Sequence, residues 1–287
     1  MLIYWLIFFL LIFFWIRTQN FQIYLQERRK LTDLFLTIFI LLFSLRSYAV
    51  GTDTMGYIFS IFPWIDSSSF KDVLIYQRDP VFYIIVKLFR EYISQLNVLW
   101  FTLLAFAFWL PVFFVIKRYS VNVFLSLLVM MLFRLSDFPL NAMRNGIALG
   151  LVFLSFHFLV QRKFLYFSLI VITSSLFHNS SLIAFIMVPF LYFDLLKLKT
   201  LLLLLLGVLL IFKDYFYNYM FVWILTLDQD YLIYANINSE VSKLLTYLIV
   251  IFFLLVTTFI FSKAKGNRTL SIFYAGTFLS AVFATIA

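Results

Sequence analysis

The chain has 287 residues, of which 64% are hydrophobic, 22% aromatic and only 12% charged, about half the charged share of ordinary soluble domains. A soluble globule of this length cannot hide so much apolar surface, so soluble enzymes, nucleic-acid modules and disordered scaffolds are excluded, and the chain reads as an all-α, polytopic membrane helix bundle. The net charge of +9 then concerns distribution across a membrane, and with no cysteine and two histidines there is no thiolate chemistry and no expected metal or cofactor.

A span needs about 20 mostly apolar residues. In chain order the candidates are 2–16, 32–50, 97–116, 119–138, 139–160, 164–177, 181–193, 198–217, 243–262 and 269–287. That makes about ten spans in a single transmembrane domain, 1–287. The first has no basic residue before it and no small-residue cleavage site after it, so it reads as a retained span. The last ends at Ala287 with no tail, which leaves room for further helices. Pro80–Ile93 is apolar but short, and it carries Lys87 and Arg90. This predicts an interfacial or re-entrant helix within the main external loop region, 46–96.

Orientation follows from the Lys/Arg bias of the connections. One side collects Arg17, Arg28, Arg29, Lys30, Lys117, Arg118, Arg162, Lys163, Lys197, Lys199, Lys263, Lys265 and Arg268, against Glu27, Asp33 and Asp194. That side is the cytoplasm, and both termini face outward. Basic residues at both ends of 162–199 make 164–177 and 181–193 a hairpin rather than one long helix.

The unusual polar residues fall on the opposite, external side. Arg46 precedes Gly51-Thr52-Asp53-Thr54, where two glycines (Gly51, Gly56) bracket a polar turn. Asp79 stands where it could cap a helix beginning at Pro80, next to Arg78. Each acid is either a turn or cap residue or a functional carboxylate. Arg134 and Arg144 flank Pro139, and Arg144 lies about a turn below the surface, costly unless paired, hydrated or snorkelling. Ala142, Gly146 and Gly150, four apart, form a small-residue packing stripe. His178, in Phe177-His178-Asn179-Ser180-Ser181, either lines a cavity at the tip of a short hairpin or belongs to a helix cap. His157 reads as an interhelical hydrogen bonder. Several arginines at one face suit an anionic lipid headgroup such as a pyrophosphate, and a carboxylate or imidazole beside them can act as acid or base.

The run Leu45-Arg46 … Gly51-Thr52-Asp53-Thr54 … Tyr57, then Asp79-Pro80 … Phe82-Tyr83, then Asn141-Ala142-Met143-Arg144-Asn145-Gly146, then Phe177-His178-Asn179-Ser180-Ser181, resembles the EpsG family of Wzy-like polysaccharide polymerases. The likeness covers roughly residues 30–195. Where the family has Glu-Pro-Gly, this chain has Asp79-Pro80-Val81, and Asn145 replaces a glutamine. The resemblance implies a multi-pass protein of the bacterial cytoplasmic (inner) membrane. Such a protein joins undecaprenyl-pyrophosphate-linked oligosaccharide repeats of O-antigen, capsule or exopolysaccharide at the outer face. Its partners are those lipid-linked oligosaccharides, membrane lipids, a flippase and a chain-length regulator. On this reading Arg46, Arg78, Arg134, Arg144 and Asp79 bind the substrate, and Asp53 or His178 is the base. The alternatives are a multi-span lipid-linked-sugar glycosyltransferase, a glycan ligase, and a transporter or flippase, although no internal repeat of the kind transporters carry is visible.

Overall fold

The computed structural model describes residues 2–19, 21–76, 80–132 and 135–188, and every element among them is helical. The chain divides into two compact units, Met1–Phe185 and Ile186–Ala287. Helices α1 to α11 belong to the first. The spans expected at 198–217, 243–262 and 269–287 lie outside the described residues, with their basic connections.

Helix α1 (Leu2–Arg17) is followed by α2 (Phe21–Ser44), which runs unbroken through what the sequence suggests is a loop, 17–31. Its first turns hold Gln, Glu, Arg, Lys and Leu, all good helix formers, with no proline or glycine to stop them. The charges of α2 therefore stand on the helix itself. Arg17 pairs with Glu27 at 2.5 Å, Asp33 with Lys117, and Arg28 donates to the Lys117 carbonyl. These contacts gather the basic ends of α1, α2 and α7 at one end of the bundle.

Helix α7 (Asn97–Tyr119), about 34 Å long, is the central strut. Its Phe108, Trp109 and Phe113 pack with Phe35, Phe39 and Phe43 of α2, with Leu11 of α1 and with Phe124 and Leu127 of α8 (Val123–Leu132). Phe39 and Trp109 approach to 4.4 Å between ring centres. A 3-10 turn (Leu135–Asp137) and α9 (Phe138–Asn141) lead into α10 (Met143–Val160), and α11 (Phe164–Ser175) follows. Among the described residues, only α7 and α10 are long and apolar enough to cross a membrane. A third candidate arises if α8 and 135–141 form one span bent by 78°. Hydropathy alone suggests six spans up to residue 177; it registers apolar content but not the break before α9 or the charges on α2. In place of an α-helical span at 181–193, the described part forms a 3-10 run, Asn179–Met187.

The small-residue stripe of α10 does packing work. A Cβ on Gly146 would meet Pro139 Cα at 2.7 Å, and one on Gly150 the Ala107 carbonyl oxygen at 2.9 Å, so α10 closes directly on α9 and α7. His157 bridges the same two long helices, its Nδ1 lying 3.0 Å from the Tyr119 hydroxyl.

At the other end of the bundle, short helices fill 52–92: α3 (Thr52–Gly56), a π-helical turn (Tyr57–Ile61), α4 (Phe62–Ser67), α5 (Phe70–Tyr76) and α6 (Pro80–Tyr92). A π turn makes positions five apart share a face, which brings Tyr57 and Phe62 together at 5.8 Å and buries both. Phe82, Tyr83 and Val86 of α6, Trp100, Phe101 and Leu104 of α7 and Met143 of α10 complete this second core. At about 20 Å, α6 is too short to cross a bilayer. Its basic residues do not snorkel: Lys87 and Arg90 are 7% and 8% exposed. Arg90 forks onto Asp66 at 2.8 and 2.6 Å and reaches Asn97 Oδ1 at 3.1 Å, while Lys87 donates to the Ile65 carbonyl at 3.2 Å. They lock α6 onto α4.

Candidate functional site

The site is built where the chain leaves α2. Gly51 has φ +84° and ψ 145°, a region that side chains avoid, and a Cβ there would collide with the Leu140 carbonyl. That close approach lays α3 against α9 and delivers Asp53 to the start of α10. Ala142, the residue preceding α10, supplies no side-chain cap. Asp53 takes that role from 90 residues away, its Oδ2 accepting the Met143 N–H at 3.3 Å. A carboxylate is favoured at a helix N-terminus, where unpaired N–H groups and the helix dipole both attract it.

Two guanidinium groups act on this carboxylate, those of Arg144 and Arg46. Burial pushes the Asp53 carboxyl above the ordinary carboxylate range, against the opposing pull of the Met143 N–H, Arg144 and Arg46. Arg46, just beyond the end of α2, lies 4.0 Å over the ring of Phe101. Burial lowers it to about 10, although Asp53 opposes this. Among the described residues its Nε and Nη2 have no hydrogen-bond partner, and neither does the buried hydroxyl of Thr54. Arg144 stands 5.6 Å over the ring of Tyr83. Tyr57 lies in the same buried core as Tyr83 and feels both Arg144 and Asp53; burial, first of all, raises its pKa. Two cations backed by aromatic faces around one carboxylate make a site for an anion with an adjacent base.

Of the site residues expected from sequence, the structure assembles Arg46, Asp53 and Arg144. Arg78, Asp79 and Arg134 lie outside the described residues. His178 is half-buried; its N–H donates to Ser174 and its carbonyl accepts from Ser181, opening the 3-10 run. Its neighbour Phe177 packs on the core that holds Tyr57, Tyr83 and Met143. Tyr57, Tyr83, Thr54 and Phe101 carry no role in the sequence reading, although Thr54, Tyr57 and Tyr83 stand inside the motif run. Among the described residues no three His, Cys, Asp or Glu side chains could hold a metal ion.

The EpsG family matches residues 29–287. The chain belongs to the EpsG family. No curated protein and no solved structure matches it. As an EpsG protein it is a polysaccharide polymerase-like membrane protein, tied to polysaccharide biosynthesis. The EpsG match embraces all the elements that converge here, from Arg46 to the Phe177-His178 turn.

Proposed function

We propose that this EpsG protein polymerises undecaprenyl-pyrophosphate-linked oligosaccharide repeats at the outer face of the bacterial cytoplasmic membrane. The observation that carries the reading is the convergence of Arg46, Asp53 and Arg144 at the N-terminus of α10. An acceptor sugar hydroxyl attacks the anomeric carbon of the growing chain, and its proton passes to Asp53. With Oδ2 committed to the Met143 N–H, Oδ1 is the oxygen left to take it. The anomeric C–O bond breaks and its electron pair leaves with the polyprenyl pyrophosphate. Charge grows on that leaving group, and preorganised guanidinium groups stabilise it there. Arg46 offers two unpartnered nitrogens, Nε and Nη2, for this purpose, and Arg144 offers a fork suited to phosphate oxygens.

The test is glycan analysis of a strain lacking the protein, complemented with variants. The deletion should leave single repeats on the surface while lipid-linked units accumulate. Arg144→Ala should fail to restore polymer although the protein accumulates in the membrane. Arg144→Lys should recover little, because a point charge does not reproduce a bidentate fork. Loss of even the first repeat in the deletion strain would replace polymerisation with transfer or flipping.

A further inference from the structure

Thr54, in α3, is 0% exposed, and among the described residues its hydroxyl meets no hydrogen-bond partner. The threonines of the longer helices avoid that state. Thr32 and Thr37 on α2, Thr102 on α7 and Thr173 on α11 each donate to the carbonyl four residues earlier, the usual recourse of a helical hydroxyl. Thr54 lacks that recourse. Its fourth predecessor, Val50, lies ahead of Gly51, whose φ of +84° and ψ of 145° take the chain off the helical path. A hydroxyl buried without a partner is costly, and the fold leaves this one to a partner it does not itself supply.

A second unanswered donor pair lies across the same turn, which the Val50 N–H closes onto the Ser47 carbonyl at 3.0 Å. Arg46 and Arg90 are built alike, with their guanidinium groups 4.0 Å over Phe101 and 4.5 Å over Phe62. Arg90 sets its Nε and Nη2 on the two oxygens of Asp66 at 2.8 and 2.6 Å. The same edge of Arg46 is buried and unpartnered among the described residues. Asp53, on which Arg46 acts, accepts from the Met143 N–H instead, and Thr54 follows Asp53 directly.

Resting on the pyrophosphate reading, we propose that Thr54 is a catalytic residue whose hydroxyl donates to the departing oxygen, while the Nε–Nη2 edge of Arg46 holds the two charged oxygens of the same phosphoryl group. Asp66 shows that two oxygens saturate such an edge. The third oxygen of the phosphoryl group is the one bonded to the anomeric carbon. As that C–O bond breaks, its electron pair stays on this oxygen, and the acceptor's proton goes to Asp53 as above. A hydroxyl that rotates to its acceptor then meets charge that was absent in the bound substrate. Binding that strengthens along the reaction is what accelerates it.

The experiment uses the full chain in detergent and compares two ligands. In polyprenyl pyrophosphate the departing oxygen is free; in the lipid-linked oligosaccharide a sugar covers it. Thr54→Val keeps the shape of the side chain and deletes the hydroxyl. It should bind the oligosaccharide as the unsubstituted protein does, bind polyprenyl pyrophosphate about tenfold more weakly, and turn over about tenfold more slowly. Without ligand its thermal midpoint should hold or rise, since a costly hydroxyl has gone. Thr54→Ser keeps the donor and should retain both affinities and most of the turnover. With Arg46→Lys, which unseats the phosphoryl group, Thr54→Val should cost less than it does alone. Unchanged binding of polyprenyl pyrophosphate by Thr54→Val overturns the proposal. An equal loss with both ligands, or a lowered midpoint, overturns it too and marks Thr54 as a core residue. Should the unsubstituted protein bind neither ligand, the pyrophosphate reading fails and the proposal with it, whereas full binding and turnover by Thr54→Val remove the proposal alone.

Discussion

Asp53 carries two jobs whose demands differ. As a cap it needs only an oxygen facing the Met143 N–H; as a base it needs a negative charge. Asp53→Asn keeps the first and deletes the second. Purified Asp53→Asn should therefore bind lipid-linked oligosaccharide yet turn over about 10²–10⁴-fold more slowly, whereas His178→Gln should retain measurable activity. Near-normal turnover by Asp53→Asn would hand the proton transfer to His178. The direction of the Asp53 shift adds a pH signature. Its carboxyl is raised by burial, so turnover should fall with acidification at a pH above the ordinary carboxylate range. Stability should run the other way: the protonated form is favoured in the fold, so the contribution of Asp53 is present at low pH and is lost as pH rises through its raised value. A rate profile that stays flat down to the usual carboxylate pKa would contradict this. Arg46, Asp53 and Arg144 are legible in the sequence because charges beside apolar spans demand a reason. Tyr57 and Tyr83 are not, since in a chain that is 22% aromatic two more rings carry no signal until their neighbours are known.

Among the elements, the turn at Gly51 and the helix after it respond oppositely to the same substitution. Gly51 sits at positive φ against the Leu140 carbonyl, whereas Gly56 is helical with open space around its Cβ position. Gly51→Ala should cost about 1–3 kcal/mol in backbone strain, with the collision added, and should lower thermal stability in detergent together with activity. Gly56→Ala should be neutral or stabilising by up to about 1 kcal/mol. Equal behaviour of the two would mean that the turn adapts. The helical character of Pro80–Tyr92 was legible from its apolar run and its proline start. The destination of its basic residues was not. Asp66 and Arg90 are 24 positions apart, and no periodicity links them. The π turn is equally silent, because one extra residue in a turn leaves the hydropathy pattern unchanged. A weak clue did exist for the site itself: α10 begins without a local cap, so its exposed N–H groups had to be answered from elsewhere.

For the whole molecule, the membrane class and the aromatic core follow from composition, while the number of crossings depends on where helices break. The orientation is open to a direct test. Ser67 is exposed on α4, and a cysteine there should be labelled by a membrane-impermeant thiol reagent in intact cells. On the opposite end the probe belongs at Gln19, which is exposed. Thr18 would mislead, being 3% exposed and bonded to the Phe14 carbonyl and to Asn122. Labelling at 19 should require permeabilisation; the reverse pattern would invert the topology and move the site to the cytoplasm.

The bond between Asp53 and Met143 also has a history within each molecule. A ribosome adding about 5–20 residues per second makes Asp53 some 5–18 s before it makes Met143, 90 residues later. Until then the carboxylate has no helix end to cap, and the Gly51 turn has no Leu140 carbonyl to close upon. The short helices of 52–92 must therefore leave the translocation machinery before their anchor exists. A chain stopped at residue 142 would hold α1 to α9 yet lack the donor that seats Asp53. Arrival of α10 is thus the event that closes the site during biogenesis, and a failure to insert it would leave a buried acid and an arginine uncompensated for quality-control proteases to find.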